Sequence, residues 1–176
     1  MRSIILAAAA ALLLTPGLAR AEKPPELTSL PEAARKVGET EFRVLFWRVF
    51  DAELWSGDGA FAWSAPFALT LTYARDFTSA QLTERTLEEM ARISGAPEAS
   101  FKQFGRDFAA CIDDVQSGDR ITAVSVAEDK ARMFQNGAER CTLQRSNLRQ
   151  TFFGIWLSDT SSFPEASQRL RGGKPS

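Results

Sequence analysis

Histidine is absent from the 176 residues. A chain without imidazole has no Ser-His-Asp or Cys-His nucleophile, no histidine-ligated haem and almost none of the usual zinc sites. Hydrolases that depend on these groups are therefore not expected, and neither a metal nor another cofactor is expected. An excess of one charge is missing too: 21 Lys and Arg stand against 22 Asp and Glu, with no block of like sign. Phosphate backbones are held by a basic footprint, so nucleic acid is not expected as a partner. Long apolar runs are scarce. The one that exists, Ile4 to Leu14, is 11 residues long, against roughly 20 needed to span a bilayer.

That run has the surroundings of an export signal. Arg2 precedes it, Pro16 and Gly17 break it, and Ala19-Arg20-Ala21 fits the small-x-small cleavage rule. Residues 1–21 therefore read as a cleavable Sec-type signal peptide and residues 22–176 as one mature domain without an integral membrane segment. The destination is the periplasm if the source is a Gram-negative bacterium. Removing Arg2 and Arg20 leaves the mature chain mildly acidic.

Cysteine is limited to Cys111 and Cys141, 30 positions apart. An even count in an oxidising compartment favours a disulfide. Helix and strand parity point both thiols inward, which fits either that bond or two separately buried thiols. The spacing lacks CxxC character, so a redox role is not indicated.

The remaining pattern alternates between sheet and helix. Glu22 to Leu30, with Pro24 and Pro25, reads as an extended lead-in. Phe42 to Trp55 reads as one long strand run, bent or divided near Trp47–Val49 and ended by Gly57-Asp58-Gly59. In "PFALTLTY", Phe67, Leu69, Leu71 and Tyr73 alternate with smaller residues, which is period-two strand patterning. Thr78 and Gln81 form a capping box for a helix carrying Leu82, Leu87, Met90 and Ile93, with Gly95 as its stop. A second helix is predicted from Pro97 to Gly118, its stripe running Phe101, Phe104, Phe108, Cys111, Ile112 and Val115. A strand over "RITAVSVA" follows, then a hairpin turning at Asn136-Gly137. A helix capped by Ser146, a short one from Pro164 to Arg171 and a tail expected to be mobile complete the chain. The order predicts an α+β domain with an antiparallel sheet.

Several stretches in this order resemble the chalcone isomerase-like family in its exported bacterial branch: "VGETEFRVLFWRVFDAELW", "FALTLTYARDFTSAQLTERTLEEM", "SGDRITAVSV" with "QNG", and "FFGIWLSD". The resemblance implies an open-faced β-sandwich, a large antiparallel sheet backed by a layer of helices with a cleft between. Its plant enzymes close a chalcone to a flavanone, and its plastid relatives bind fatty acids. The enzymes use a strand arginine for the substrate phenolate, a threonine and a tyrosine around a water at the ketone, and a pocket asparagine. Residue by residue, the threonine falls on Asp51, the tyrosine on Leu82, the asparagine on Glu89, and a lysine between these last two on Arg85. The arginine falls on Arg43 or, in the other alignment, its place is taken by Thr40. Leu82 has no hydroxyl to donate to a developing enolate oxygen, where preorganised donors supply most of such rate gains. Chalcone cyclisation is therefore not expected.

The leading expectation is a non-catalytic binding protein for a small apolar or fatty-acid-like ligand. Arg43 would hold an anionic head group, with Tyr73 second, and Arg48, Asp51, Leu82 and Arg85 complete the candidate set. Each has a plainer reading. Arg48 lies on the apolar parity of its strand and can lay its stem on the surface with its head in water. Arg43 can pair with Glu41, Tyr73 can be a core residue with its hydroxyl at the rim, and Glu88 and Glu89 read as helix surface unless the cleft opens there. Two alternatives remain: an isomerase or intramolecular lyase built on Arg43, Asp51 and Arg85, and an envelope structural or partner-binding protein with a filled cleft.

Overall fold

The structure, a computed structural model, describes residues 25–30 and 34–173. The signal-peptide expectation falls on residues outside these.

Six strands form one antiparallel meander in chain order: β1 (Arg35–Val44), β2 (Trp47–Ser56), β3 (Phe67–Tyr73), β4 (Arg120–Ala127), β5 (Lys130–Gln135) and β6 (Ala138–Gln144). The helices lie on one face: α1 (Ser79–Ser94), α2 (Lys102–Cys111), α3 (Leu148–Thr151), α4 (Gly154–Leu157) and α5 (Pro164–Leu170). This is the expected open-faced sandwich. The predicted strand run is divided, into a hairpin whose break lies earlier than expected: β1 and β2 turn at Leu45–Phe46 with no Gly, Asn or Pro to announce it. In the described part of the predicted lead-in, Pro25–Ser29 forms a 3₁₀ turn and is not extended.

Strand alternation sorts side chains to two faces. Phe50, Ala52, Leu54, Leu69, Leu71, Ile121, Ala123 and Met133 point to the helices and form the main core. On the outer face a smaller core joins Trp55, Ala68, Val124 and Phe134 to Leu27 and Leu30 of the N-terminal turn. Beside it Thr122 donates to the buried Glu26 (Oγ1–Oε1 2.8 Å) and accepts from Thr70, its cross-strand neighbour, at 3.1 Å.

α1 starts where its capping box says it should. Gln81 N donates to Thr78 Oγ1 at 3.2 Å, and Thr78 N donates back to Gln81 Oε1 at 2.9 Å. Such a cap contributes about 1 kcal/mol. Gly95 ends the helix with φ 68°. α2 is shorter than predicted: it stops at Cys111, and Ile112 turns extended. Val115 stays buried through a β-bridge to Phe77 rather than on a helix face. The predicted helix near Ser146 is two short pieces, α3 and α4, and Asn147 rather than Ser146 is the residue before the first of them. Asn136 and Gly137 turn the β5–β6 hairpin with φ 51° and 83°, the positive values a type I′ turn requires. Cys111 and Cys141 are bonded, Cα to Cα 5.5 Å, tying α2 to the edge strand β6. At the other edge α5 lies on β1. A Cβ at Gly38 would overlap the carbonyl oxygens of Arg169 and Leu170, so only glycine permits that approach.

Candidate functional site

Between the sheet and the helices lies a cavity of about 370 Å³, within the size range of small-molecule sites. Its floor is the inner face of the sheet, including Leu69, Leu71, Ile121 and Met133; its roof is formed by Leu82, Phe108, Phe152 and Trp156. Phe42, Phe50 and Phe163 close one end, with ring centroids of Phe42 4.8 Å from Phe50 and 5.4 Å from Phe163. The cleft is therefore not filled by the protein's own side chains.

Polar groups in this lining are few and unevenly used. Tyr73 is 6% exposed, lines the cavity, and packs its ring against Phe50 and Phe77. Its hydroxyl makes no hydrogen bond among the described residues. The ring is buried, but the hydroxyl keeps accessible surface, and in the wall of an apolar cavity it is free to donate. Burial pushes its pKa well above the ordinary value of 10, which keeps it protonated and able to donate.

Glu89 is the opposite case: buried but fully engaged. It accepts from Arg92 Nε at 2.8 Å, from Arg85, and from Ser162 Oγ at 3.0 Å to each carboxylate oxygen. Arg85 also reaches Glu88 at 2.8 Å and remains largely exposed at the cavity rim. This network links α1 to the segment before α5 and so holds one wall of the cavity. Sequence reading left Glu89 as helix surface unless the cleft opened there, and it does: Glu89 lines the cavity, at the position matching the family's pocket asparagine. The available signal was spacing, since Leu82, Thr86 and Glu89 share a helix face at i, i+4 and i+7, and all three line the cavity.

Of the sequence-derived candidates, Tyr73, Leu82 and Arg85 meet at this cavity. Arg43, Arg48 and Asp51 do not. Phe42 pairs with Phe50 but Arg43 pairs with Arg48, leaving Val49 as an extra residue in β2. A bulge of this kind reverses side-chain parity. Val49 and Phe50 both line the cavity, and Arg48 is carried to the outer face, where its Nε donates to Asp51 Oδ1 at 2.7 Å. Arg43 likewise lies away from the cavity and donates to Glu41 Oε2 at 2.9 Å. Arg43 and Asp51 are thus separated from Arg85 by the sheet, and a reacting centre made of these three is not assembled.

The matching of fold to family follows from these features. A family model described as chalcone isomerase-like matches residues 58–170. The chain belongs to the chalcone isomerase-like family. The match begins after β2, so the β1–β2 hairpin lies outside it. Among solved structures, the chain is similar to the fatty-acid binding protein AtFAP1 of Arabidopsis thaliana. The TM-score is 0.64 at 7% identity, over 82% of this chain and 89% of that one. At that identity the likeness establishes a shared fold. No curated protein sequence matches the chain.

Proposed function

We propose that this protein is a non-catalytic, exported member of the chalcone isomerase-like family. It holds a small apolar or fatty-acid-like ligand between sheet and helices, in the periplasm of a bacterium. The observation that carries the reading is the open apolar cavity of about 370 Å³ with Tyr73, whose hydroxyl has no partner among the described residues, in its wall. An apolar chain would replace the empty space, and Tyr73 would donate to its polar head, with Arg85 at the rim in reach of an anionic one. In this arrangement Tyr73 takes the part first expected of Arg43. Leu82 at the position matching the family's catalytic tyrosine supports holding over reaction. That the structural neighbour is a fatty-acid binding protein supports the ligand class, and the leader-like residues Arg2 to Ala21 support export.

Native mass spectrometry and lipid extraction of the purified protein test this directly. The expected result is a co-purifying amphiphile, and dodecanoate binding to the stripped protein with a Kd below about 100 µM, near −5.5 kcal/mol. Finding neither would overturn the reading.

A further inference from the structure

Large hydrophobic residues that stand exposed are normally scattered. Here, among the described residues, they are four in a row: Val44 at 53%, Leu45 at 85%, Phe46 at 90% and Trp47 at 64% exposure. They form the end of the β1–β2 hairpin, where Val44 faces Trp47 and Leu45–Phe46 make the turn. Leu45 has φ 54°, a left-handed conformation that glycine or asparagine adopts more readily. Folding alone would favour a polar turn at this point, so the apolar tip is not explained by the stability of the hairpin.

Three arginines stand at its base. Arg43 and Arg48 face one another across the hairpin one step below the Val44–Trp47 pair, and the Arg75 guanidinium lies 4.9 Å from the Trp47 ring centre. Glu41 and Asp51 pair with the two arginines from the side of the protein body. Both ion pairs are substantially exposed, a setting in which partners exchange readily. From the arginine collar to the turn is about two residues of strand, or roughly 7 Å, which matches the ~5–10 Å depth to which interfacial elements enter a bilayer. Four residues offer on the order of 500 Å², well below what a stable protein–protein interface buries. A lipid surface needs no more than a shallow wedge.

We propose that this hairpin tip docks the protein on an anionic lipid bilayer. Leu45, Phe46 and Trp47 enter the interface, and Arg43, Arg48 and Arg75 meet the phosphate layer, where guanidinium forks bind phosphate oxygens. Next inward from the collar, Phe42, Val49 and Phe50 line the cavity, so docking brings that end of the cavity to the membrane. The proposal goes beyond ligand holding and does not require it.

Flotation of the purified protein with vesicles of phosphatidylethanolamine and phosphatidylglycerol is the test. The protein should float with these vesicles, and Trp47 fluorescence should shift to the blue and be quenched by brominated acyl chains. The Leu45→Ser/Phe46→Ser variant should lose at least about tenfold in vesicle affinity while its dodecanoate binding in solution stays unchanged. Each of Arg43→Gln and Arg48→Gln should weaken binding about fivefold. Absence of flotation, or flotation unaffected by Leu45→Ser/Phe46→Ser, would overturn the proposal. So would concentration-dependent dimerisation abolished by that variant, which would make the tip a self-association site. A failure of dodecanoate binding alone would count against the cavity reading and leave docking to be judged on the vesicles.

Discussion

Arg120 donates through Nε to Oε1 of Glu26 at 2.8 Å, and this pair fastens the N-terminal turn to the outer face of the sheet. Burial alone would raise the Glu26 carboxyl. The hydrogen bonds from Arg120 and Thr122 outweigh that effect and hold its pKa below the ordinary 4.5. A carboxyl lowered in the folded state contributes stability that is complete above 4.5 and disappears as pH falls through the folded value. Glu26→Gln should therefore cost about 1–3 kcal/mol at neutral pH, because Arg120 and Thr122 lose their charged acceptor in a largely buried site. Urea midpoints measured against pH should converge for the two proteins in acid.

Gly38 sets a second expectation, this one steric. Its missing Cβ lets the end of α5 lie directly on β1, with the Arg169 and Leu170 carbonyls where a side chain would stand. Those obstacles are backbone atoms and cannot rotate aside. Gly38→Ala should destabilise the fold by about 1–3 kcal/mol through displacement of α5. Because Phe163, at the start of α5, closes the cavity, the same variant should bind dodecanoate more weakly. Thermal melts and a binding titration on one sample check both effects.

The Cys111–Cys141 bond closes a separation of 30 residues. A crosslink over a loop of that size contributes about 3–4 kcal/mol, mainly by restricting the unfolded chain. Cys111→Ala/Cys141→Ala should lower stability by about that amount, and reduction of the native protein should do the same. Midpoints of guanidinium unfolding with and without reductant supply the comparison.

These features were legible in the sequence to different degrees, and the differences have physical causes. Local signals carried well: the Thr78–Gln81 box, the period-two run from Phe67 to Tyr73 and the Asn136-Gly137 turn all form what their chemistry demands. The Leu45–Phe46 turn gave no signal, because apolar residues occupy a place where chain reversal normally selects glycine or asparagine. The Val49 bulge was equally silent. It arises from pairing between strands, and one unpaired residue was enough to move Arg48 from the parity of Phe50 to that of Asp51. Past Cys111 the apolar spacing of Ile112 and Val115 suits a helix, yet an extended segment bridged to Phe77 buries both. At the cavity, Tyr73, Leu82 and Arg85 were found through strand parity and family resemblance. Glu89 matched the family's pocket asparagine, but its pairing was not legible, because its partner Ser162 lies 73 positions away.

Tyr73 gives the most direct test of the cavity, since it is the single tyrosine of the chain. Absorbance of phenolate therefore reports this one group. Burial raises its folded pKa above the ordinary 10, so at pH 10 the native protein should show less phenolate than the unfolded chain, which titrates near 10. Here the stability contribution is present below the unfolded value and declines as pH rises past it, the reverse of Glu26. Tyr73→Phe preserves the ring contacts with Phe50 and Phe77 and removes only the unpartnered hydroxyl. Its melting temperature should remain close to that of the parent, because no hydrogen bond within the protein is lost. Dodecanoate affinity should fall about 3–10-fold, the loss of one ligand hydrogen bond. A variant that binds dodecanoate as tightly as the parent would remove Tyr73 from the site and leave Arg85 as the group at the rim in reach of the head.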